Sequence, residues 1–290
     1  MFTRARLTAI VCGIALFGST RAAANDVAEF NRLGRELRSQ TDARQHAQAE
    51  ASARQMVALA EGSLADHPDA LTQALHGLGY VLVQERKHTD AVSVLRRAAQ
   101  LHESAPDPKT ANAYSVAMLL AEAYSGQNQR ADAADAYDRA ASIAKSAFGA
   151  EHDTVVDALR AQADALSDAG QGAAAEEQFA AALAMAERLH GVSSLEVARV
   201  LNEIGHARYQ QRRSREAIEP LERAVRILEA ADDSGTILLA RALRDLAMAE
   251  SLVGKMQSAE ANLTRSLALF EKLRGPEHLD VIDTLYSMGN

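Results

Sequence analysis

The sequence predicts an all-α protein of stacked helical hairpins, and three observations carry that expectation. Alanine, the best helix former and a poor strand residue, is abundant, while aromatics make up only 4% of the 290 residues and tryptophan is absent. Small and large apolar residues recur together every 42 positions without insertion or deletion. Glycines (Gly126, Gly170, Gly172 and Gly254) fall between the recurring segments, where a helix is expected to stop.

The repeat is read most easily from Ala91. Steps of 42 reach Ala133, Ala175, Ala217 and Ala259. Four residues later stand Leu95, Tyr137, Phe179, Leu221 and Leu263, and three further on Ala98, Ala140, Ala182, Ala224 and Ser266. Twelve residues before each marker alanine lie Gly79, Ala121, Ala163, Gly205 and Ala247. Ahead of these come Leu78, Leu120, Gln162, Ile204 and Leu246, then Leu75, Ala117, Leu159, Leu201 and Leu243. Small residues at places eight, twenty and twenty-seven let two antiparallel helices approach; large ones at places four, seven and twenty-four fill the remaining space. One such hairpin cannot bury its apolar face alone, so neighbours stack into a solenoid.

Leu78-Gly79, Tyr124, Ala133 and Tyr137 resemble the tetratricopeptide motif. The unit of 42 residues, with Gly149-Ala150-Glu151-His152, Leu201-Asn202-Glu203-Ile204-Gly205 and Gly275-Pro276-Glu277-His278, is similar to the kinesin light chain type of repeat. The resemblance covers residues 71–290 and implies a right-handed α–α superhelix of about five full hairpins, at 71–281. Eight residues beyond the usual repeat lengthen each helix by about one turn. Residues 25–70 are expected to form a degenerate capping hairpin, with helices near Val27–Ser39 and Asp42–Leu64. Residues 282–290 are the remainder of a sixth first helix, either a lone cap or the front of something longer.

Residues 1–24 read as a secretory signal peptide. Arg4 and Arg6 precede an uncharged apolar stretch, Leu7 to Gly18, and Ala22-Ala23-Ala24 offer a cleavage site. The apolar run is shorter than the roughly twenty residues of a membrane span, so no membrane insertion of the mature chain is expected. Export to the periplasm, or secretion, follows. Cleavage would remove the single cysteine, Cys12, and leave 28 Lys+Arg against 39 Asp+Glu, a charge of −11. That suits an oxidising compartment and argues against a nucleic-acid partner.

Catalytic motifs are absent: no HExxH, GxSxG, P-loop or dinucleotide fingerprint occurs, and Gly77-Leu78-Gly79 belongs to a packing column. No enzyme activity, cofactor or metal is expected. The nine histidines show no pair at helical ligand spacing, and His152 and His278, three repeats apart, read as turn residues, as does His67. Glu176-Glu177 and Asp232-Asp233 read as solvated surface, and the sequon Asn262-Leu263-Thr264 as incidental because Leu263 is a core column.

The resemblance further implies that first helices line a groove through places two, five, six, nine, twelve and thirteen. Those places give Arg199 and Arg241 (two), Arg160, Asn202 and Arg244 (five), Tyr80 and His206 (nine) and Tyr209 (twelve). Arg160, Arg199, Arg241 and Arg244 stand out in an otherwise acidic protein. Guanidinium groups grip carboxylates bidentately, so a protein or peptide partner with an acidic segment is expected, its backbone held by Asn202, His206 and Tyr209. A second expectation is a front-end array that localises or regulates an envelope domain beyond Asn290, energy-transducing or enzymatic.

Overall fold

A computed structural model describes residues 21–105, 110–231 and 237–289. Most of the expected signal peptide and the pair Asp232-Asp233 lie outside these residues. Among the described residues there are thirteen α-helices and no strand. In chain order they are α1 (Arg21–Asp42), α2 (His46–Glu61), α3 (Pro68–Gln84), α4 (His88–Glu103), α5 (Ala111–Gly126), α6 (Arg130–Phe148) and α7 (Asp153–Asp168). Then follow α8 (Gly172–His190), α9 (Leu195–Gln210), α10 (Ser214–Ala230), α11 (Ile237–Leu252), α12 (Met256–Arg274) and α13 (Leu279–Gly289). The chain forms two compact units, one ending at Thr154 and one beginning at Val155. No helix among the described residues is long and apolar enough to cross a membrane.

Both units use the same hairpin. First helices pack on their own second helices, as α3 does on α4 and α5 on α6, and in the second unit α9 on α10 and α11 on α12. Within each unit second helices also meet the next first helix, as α2 meets α3 and α4 meets α5, and later α10 meets α11 and α12 meets α13. The sequence columns explain the fit. A Cβ built on Gly79 would lie 2.3 Å from the Leu95 side chain, and one on Gly205 would lie 2.3 Å from Leu221. Leu95 and Leu221 are themselves fully buried.

The turn inside each hairpin is a main-chain device. Arg44, Arg86, Asn128, Gly170, Arg212 and Gly254, at intervals of 42, all have positive φ. The next residue's amide then reaches back to the helix: Gln45 to the Gln40 carbonyl at 2.8 Å, Lys87 to Leu82, Gln129 to Tyr124, Gln171 to Leu166, Arg213 to Arg208 and Lys255 to Glu250, each at 2.9 Å. This is the left-handed C-cap that satisfies orphan helix carbonyls. Only two of the six positions are glycine, so most turns were not legible as such. Gly126 and Gly172, read as turn glycines, instead end α5 and open α8. Gly126 is required by contact, because a Cβ there would sit 2.3 Å from the His88 ring.

Arg44 extends this register to the N-terminal hairpin. The first helix runs to Asp42 and the second starts at His46, so Asp42 ends a helix instead of starting one. Phe30, Leu33, Leu37 and Met56 are buried in this hairpin, whose second helix also packs on α3.

First helices begin at another periodic site. Thr110 and Ser194 accept bonds from the Ala113 and Val197 amides at 3.2 and 3.3 Å. At the same repeat place His152 Nδ1 accepts from the Thr154 amide at 3.2 Å, and His278 Nδ1 from the Asp280 amide at 3.1 Å. Both histidines therefore act at helix starts. An orphan amide in the first turn is satisfied by an imidazole there, where Thr110 and Ser194 use a hydroxyl. His152 also stacks on Phe148 at 5.1 Å, and Phe148 meets Tyr114 edge-on at 5.9 Å.

Neighbouring second helices are tied by one recurring ion pair 36 residues apart. In the first unit it joins Arg97 to Glu61, and Arg139 to Glu103 at 3.4 Å. In the second it joins Arg223 to Glu187 at 2.6 Å, and Arg265 to Glu229.

Candidate functional site

The candidate site lies on the first helices of the second unit. α9 and α11 are neighbours, and α7 is linked to α9 through side chains. Arg160 on α7 is mostly buried; it donates to Glu203 on α9 and to Asp157 Oδ1 at 3.1 Å. Burial opposes its charge, but the two carboxylates outweigh that and hold the guanidinium protonated. Burial likewise pushes the Glu203 carboxyl up, with Arg160 pulling against it.

One helix further on, the same step recurs. Asn202 is buried and its Nδ2 donates to Asp245 Oδ2 on α11 at 3.3 Å. Asp245 also stands 3.5 Å from His206 Nδ1 and 3.6 Å from Arg244 Nε. One buried carboxylate thus organises three of the expected partner-binding side chains. Its bond raises the His206 pKa above the usual imidazole range, against desolvation. Arg244 lies over the Phe270 ring at 5.6 Å and 4.0 Å from Asp280.

Asp164 on α7 reaches solvent and forms no ion pair among the described residues. Its pKa is nonetheless raised, by desolvation and by Glu203, with Arg160 and His206 opposing.

The remaining expected residues are placed as follows. Arg199 is half-buried and reaches Glu196, on its own helix, at 3.4 Å. Arg241 is exposed and pairs with no carboxylate among the described residues. Tyr209 is half-buried on α9. Tyr80, also half-buried, belongs to the first unit. The second unit therefore brings together Arg160, Asn202, His206 and Arg244, but through carboxylates that sequence reasoning did not single out.

Glu203 and Asp245 were the missed residues. Both occupy place six, one of the places the repeat rule assigns to the groove. At that place the other repeats carry Gly77, Leu119 and Ala161, which disguises a charged rung as a packing column. Other readings are clearer in three dimensions. Glu176 accepts both Arg208 and Arg213, each at 2.9 Å, and Asn262 is held by Glu250 at 2.9 Å. No group of three His, Cys, Asp or Glu among the described residues is close enough to hold a metal ion.

Comparison with known proteins places this architecture. A tetratricopeptide repeat description matches residues 154–230 and 238–290, and a second tetratricopeptide repeat description matches 115–153, together more than half of the chain. No curated protein sequence is matched. Among solved structures, BtubC (BKLC) from P. vanneervenii is similar at 23% identity over 78% of this chain and 91% of that one, with a TM-score of 0.64. A putative kinesin light chain with nearly identical TPR-like repeats from Podosopora anserina is 21% identical over 72% and 98%, with a TM-score of 0.59. NprR in complex with its cognate peptide NprX is 11% identical over 92% and 72%, with a TM-score of 0.58; the apo form of that quorum sensor is from B. thuringiensis. These likenesses are of fold. With its five hairpins in a 42-residue register, all-helical stacking and the two matching descriptions, the chain belongs to the tetratricopeptide repeat family.

Proposed function

We propose that this chain is an exported, non-catalytic scaffold that binds a polypeptide segment on the first helices of its second unit. The observation that carries the reading is the Asp245 cluster: a buried carboxylate holding Asn202, His206 and Arg244 on one face. Preorganised polar side chains on rigid helices lower the ordering cost of binding a flexible chain. The fold supports a peptide ligand, since NprR, similar in fold, was solved with a peptide bound.

Charge refines the expectation of an acidic segment. Arg160 and Arg244 already face Glu203 and Asp245, so carboxylates of the segment meet Arg241, which is exposed, and Arg199, which is partly so. Export rests on the sequence alone, on Arg4, Arg6, the Leu7–Gly18 run and Ala22-Ala23-Ala24.

Selection of a random-peptide display library on the mature chain tests the binding reading. Acidic peptides should emerge, and Arg199→Ala with Arg241→Ala should weaken them by about tenfold while leaving helicity unchanged. Peptides with no acidic bias, or equal binding by the double variant, would remove the arginine assignment. Mass spectrometry of the protein from the envelope fraction tests export: a mature N-terminus at Asn25 is expected, and an intact Met1 in the cytosol would refute it.

A further inference from the structure

The first unit holds a cavity of about 50 Å³ between α4, α5 and α6, walled by His102, Ala113, Ala117, Leu120, Ala136 and Ile143. Three departures from the repeat meet there. Place four is leucine in the other full hairpins, at Leu75, Leu159, Leu201 and Leu243, and is Ala117 here. The residue four before it is Leu71, Val155, Val197 or Leu239 elsewhere and Ala113 here. On the preceding second helix, a buried column that runs through Ala60, Ala144, Ala186, Leu228 and Phe270 is interrupted by His102. Two large side chains are thus cut back to methyl groups at the spot where a polar residue enters an apolar column. Lost bulk in a packed seam costs stability through the contacts removed and the space left, so this is an expensive place for it unless the space is used.

The chemistry of the walls narrows the occupant. His102 Nε2 is buried and makes no hydrogen bond among the described residues. Burial pushes the His102 pKa below the usual imidazole range, with Asp69 opposing, so the ring is neutral at pH 7. Glu103 and Arg139 also border the cavity, but they are exposed and pair with each other at 3.4 Å. A water inside would find one polar partner where it needs two to four. A hydroxyl on an aliphatic group needs only one, and it serves either tautomer because it both donates and accepts. At roughly 10–15 Å³ for each, the space takes about four or five non-hydrogen atoms. Ala113, Ala117 and Ala136 are 4%, 8% and 5% exposed, an enclosure that suits a free molecule better than a polypeptide main chain. We propose that this cavity is a binding site for a small branched aliphatic alcohol, its hydrocarbon against Ala113 and Ala117 and its hydroxyl on His102 Nε2. The site is independent of the groove in the second unit.

The test is an NMR titration of the full chain, its alanine methyls labelled with carbon-13, with isobutanol. The Ala113 and Ala117 methyls should shift saturably in the millimolar range, as so small a ligand allows, while Ala198 and Ala240 in the second unit stay in place. Ala117→Leu should weaken binding by about tenfold or more and, by filling the space, raise the melting temperature. His102→Leu should weaken it by about three- to tenfold through the lost hydrogen bond. Each variant restores a residue that its column carries in another hairpin, at Leu75 and Leu228, so the chain should stay folded. The proposal fails if the shifts stay linear in alcohol or spread over both units, a solvent effect alone. It fails if either variant binds as the parent does, or if Ala117→Leu lowers the melting temperature, which would show the space already filled. Tighter binding of N-acetyl-threonine methylamide than of isobutanol would also overturn it, by giving the site to a threonine of a partner polypeptide.

Discussion

In the second unit, place five of one first helix reaches place six of the next: Arg160 to Glu203, and Asn202 to Asp245. In the first unit the same places hold His76 and Leu119. Leu119 is 2% exposed, and His76 bonds at 2.8 Å to Ser115, at place two of the neighbouring helix. The small and large columns that stack the hairpins are common to both units. Places five and six are therefore spare positions, holding His76 and Leu119 in one unit and the carboxylates Glu203 and Asp245 with their partners in the other. Charged rungs are a costly way to fill a packed seam, since desolvation offsets much of their attraction. Their presence in one unit only is what marks that face as a candidate for recognition.

The comparison can be broken most severely at Leu119. Leu119→Ala should cost about 2–5 kcal/mol, as a fully buried leucine does on truncation, and urea melts should show the loss unchanged by salt. Asp245→Ala, at the same place in the other unit, should cost about 1–3 kcal/mol by stranding the Asn202 amide and its neighbours.

Asp245→Asn sharpens the electrostatic half. The folded-state His206 pKa is raised by Asp245, so its contribution is full below the unfolded value of about 6.5. It fades as pH rises through the folded value. The parent should therefore exceed the variant in stability by more at pH 5.5 than at pH 8.5, pH values chosen to bracket that range. In NMR titrations the His206 ring should ionise at lower pH in the variant; an unmoved titration would detach His206 from Asp245.

Smaller effects belong to the caps. His152→Ala in the first unit and Ser194→Ala in the second should each cost about 1 kcal/mol, and similar losses would show that imidazole and hydroxyl are interchangeable there. The smallest is a gain. Arg86→Gly and Arg212→Gly, at φ of 60° and 61°, should each stabilise by about 0.5 kcal/mol by removing a left-handed side-chain strain.

The stacking was legible because its columns are compositional: Ala91, Leu95 and Ala98 repeat as residue types. The turns were half legible, since Gly170 and Gly254 announce a left-handed backbone whereas Arg44, Arg86 and Arg212 adopt it unannounced. The arginines of the candidate site were visible through their places in the repeat. Their carboxylate partners were not, because a rung 43 residues long leaves no mark within any one helix. Glu203 and Asp245 also sit in a column that other repeats fill with Leu119 or Ala161. Pairing across a stack is a property of two hairpins and is read only when both are in place.

The six left-handed turns have a consequence for how such a chain can change length. Each closes on a main-chain bond that takes little account of side-chain identity. Removing residues 171–212 would join Gly170 to Arg213 and leave a turn of the same φ, with the same backward amide bond available. A single inserted residue within a helix would rotate all that follows by about 100° and scramble every column. The array is thus quantised: it can gain or lose whole units of 42 residues, while shifts of any other size destroy the seam between neighbours.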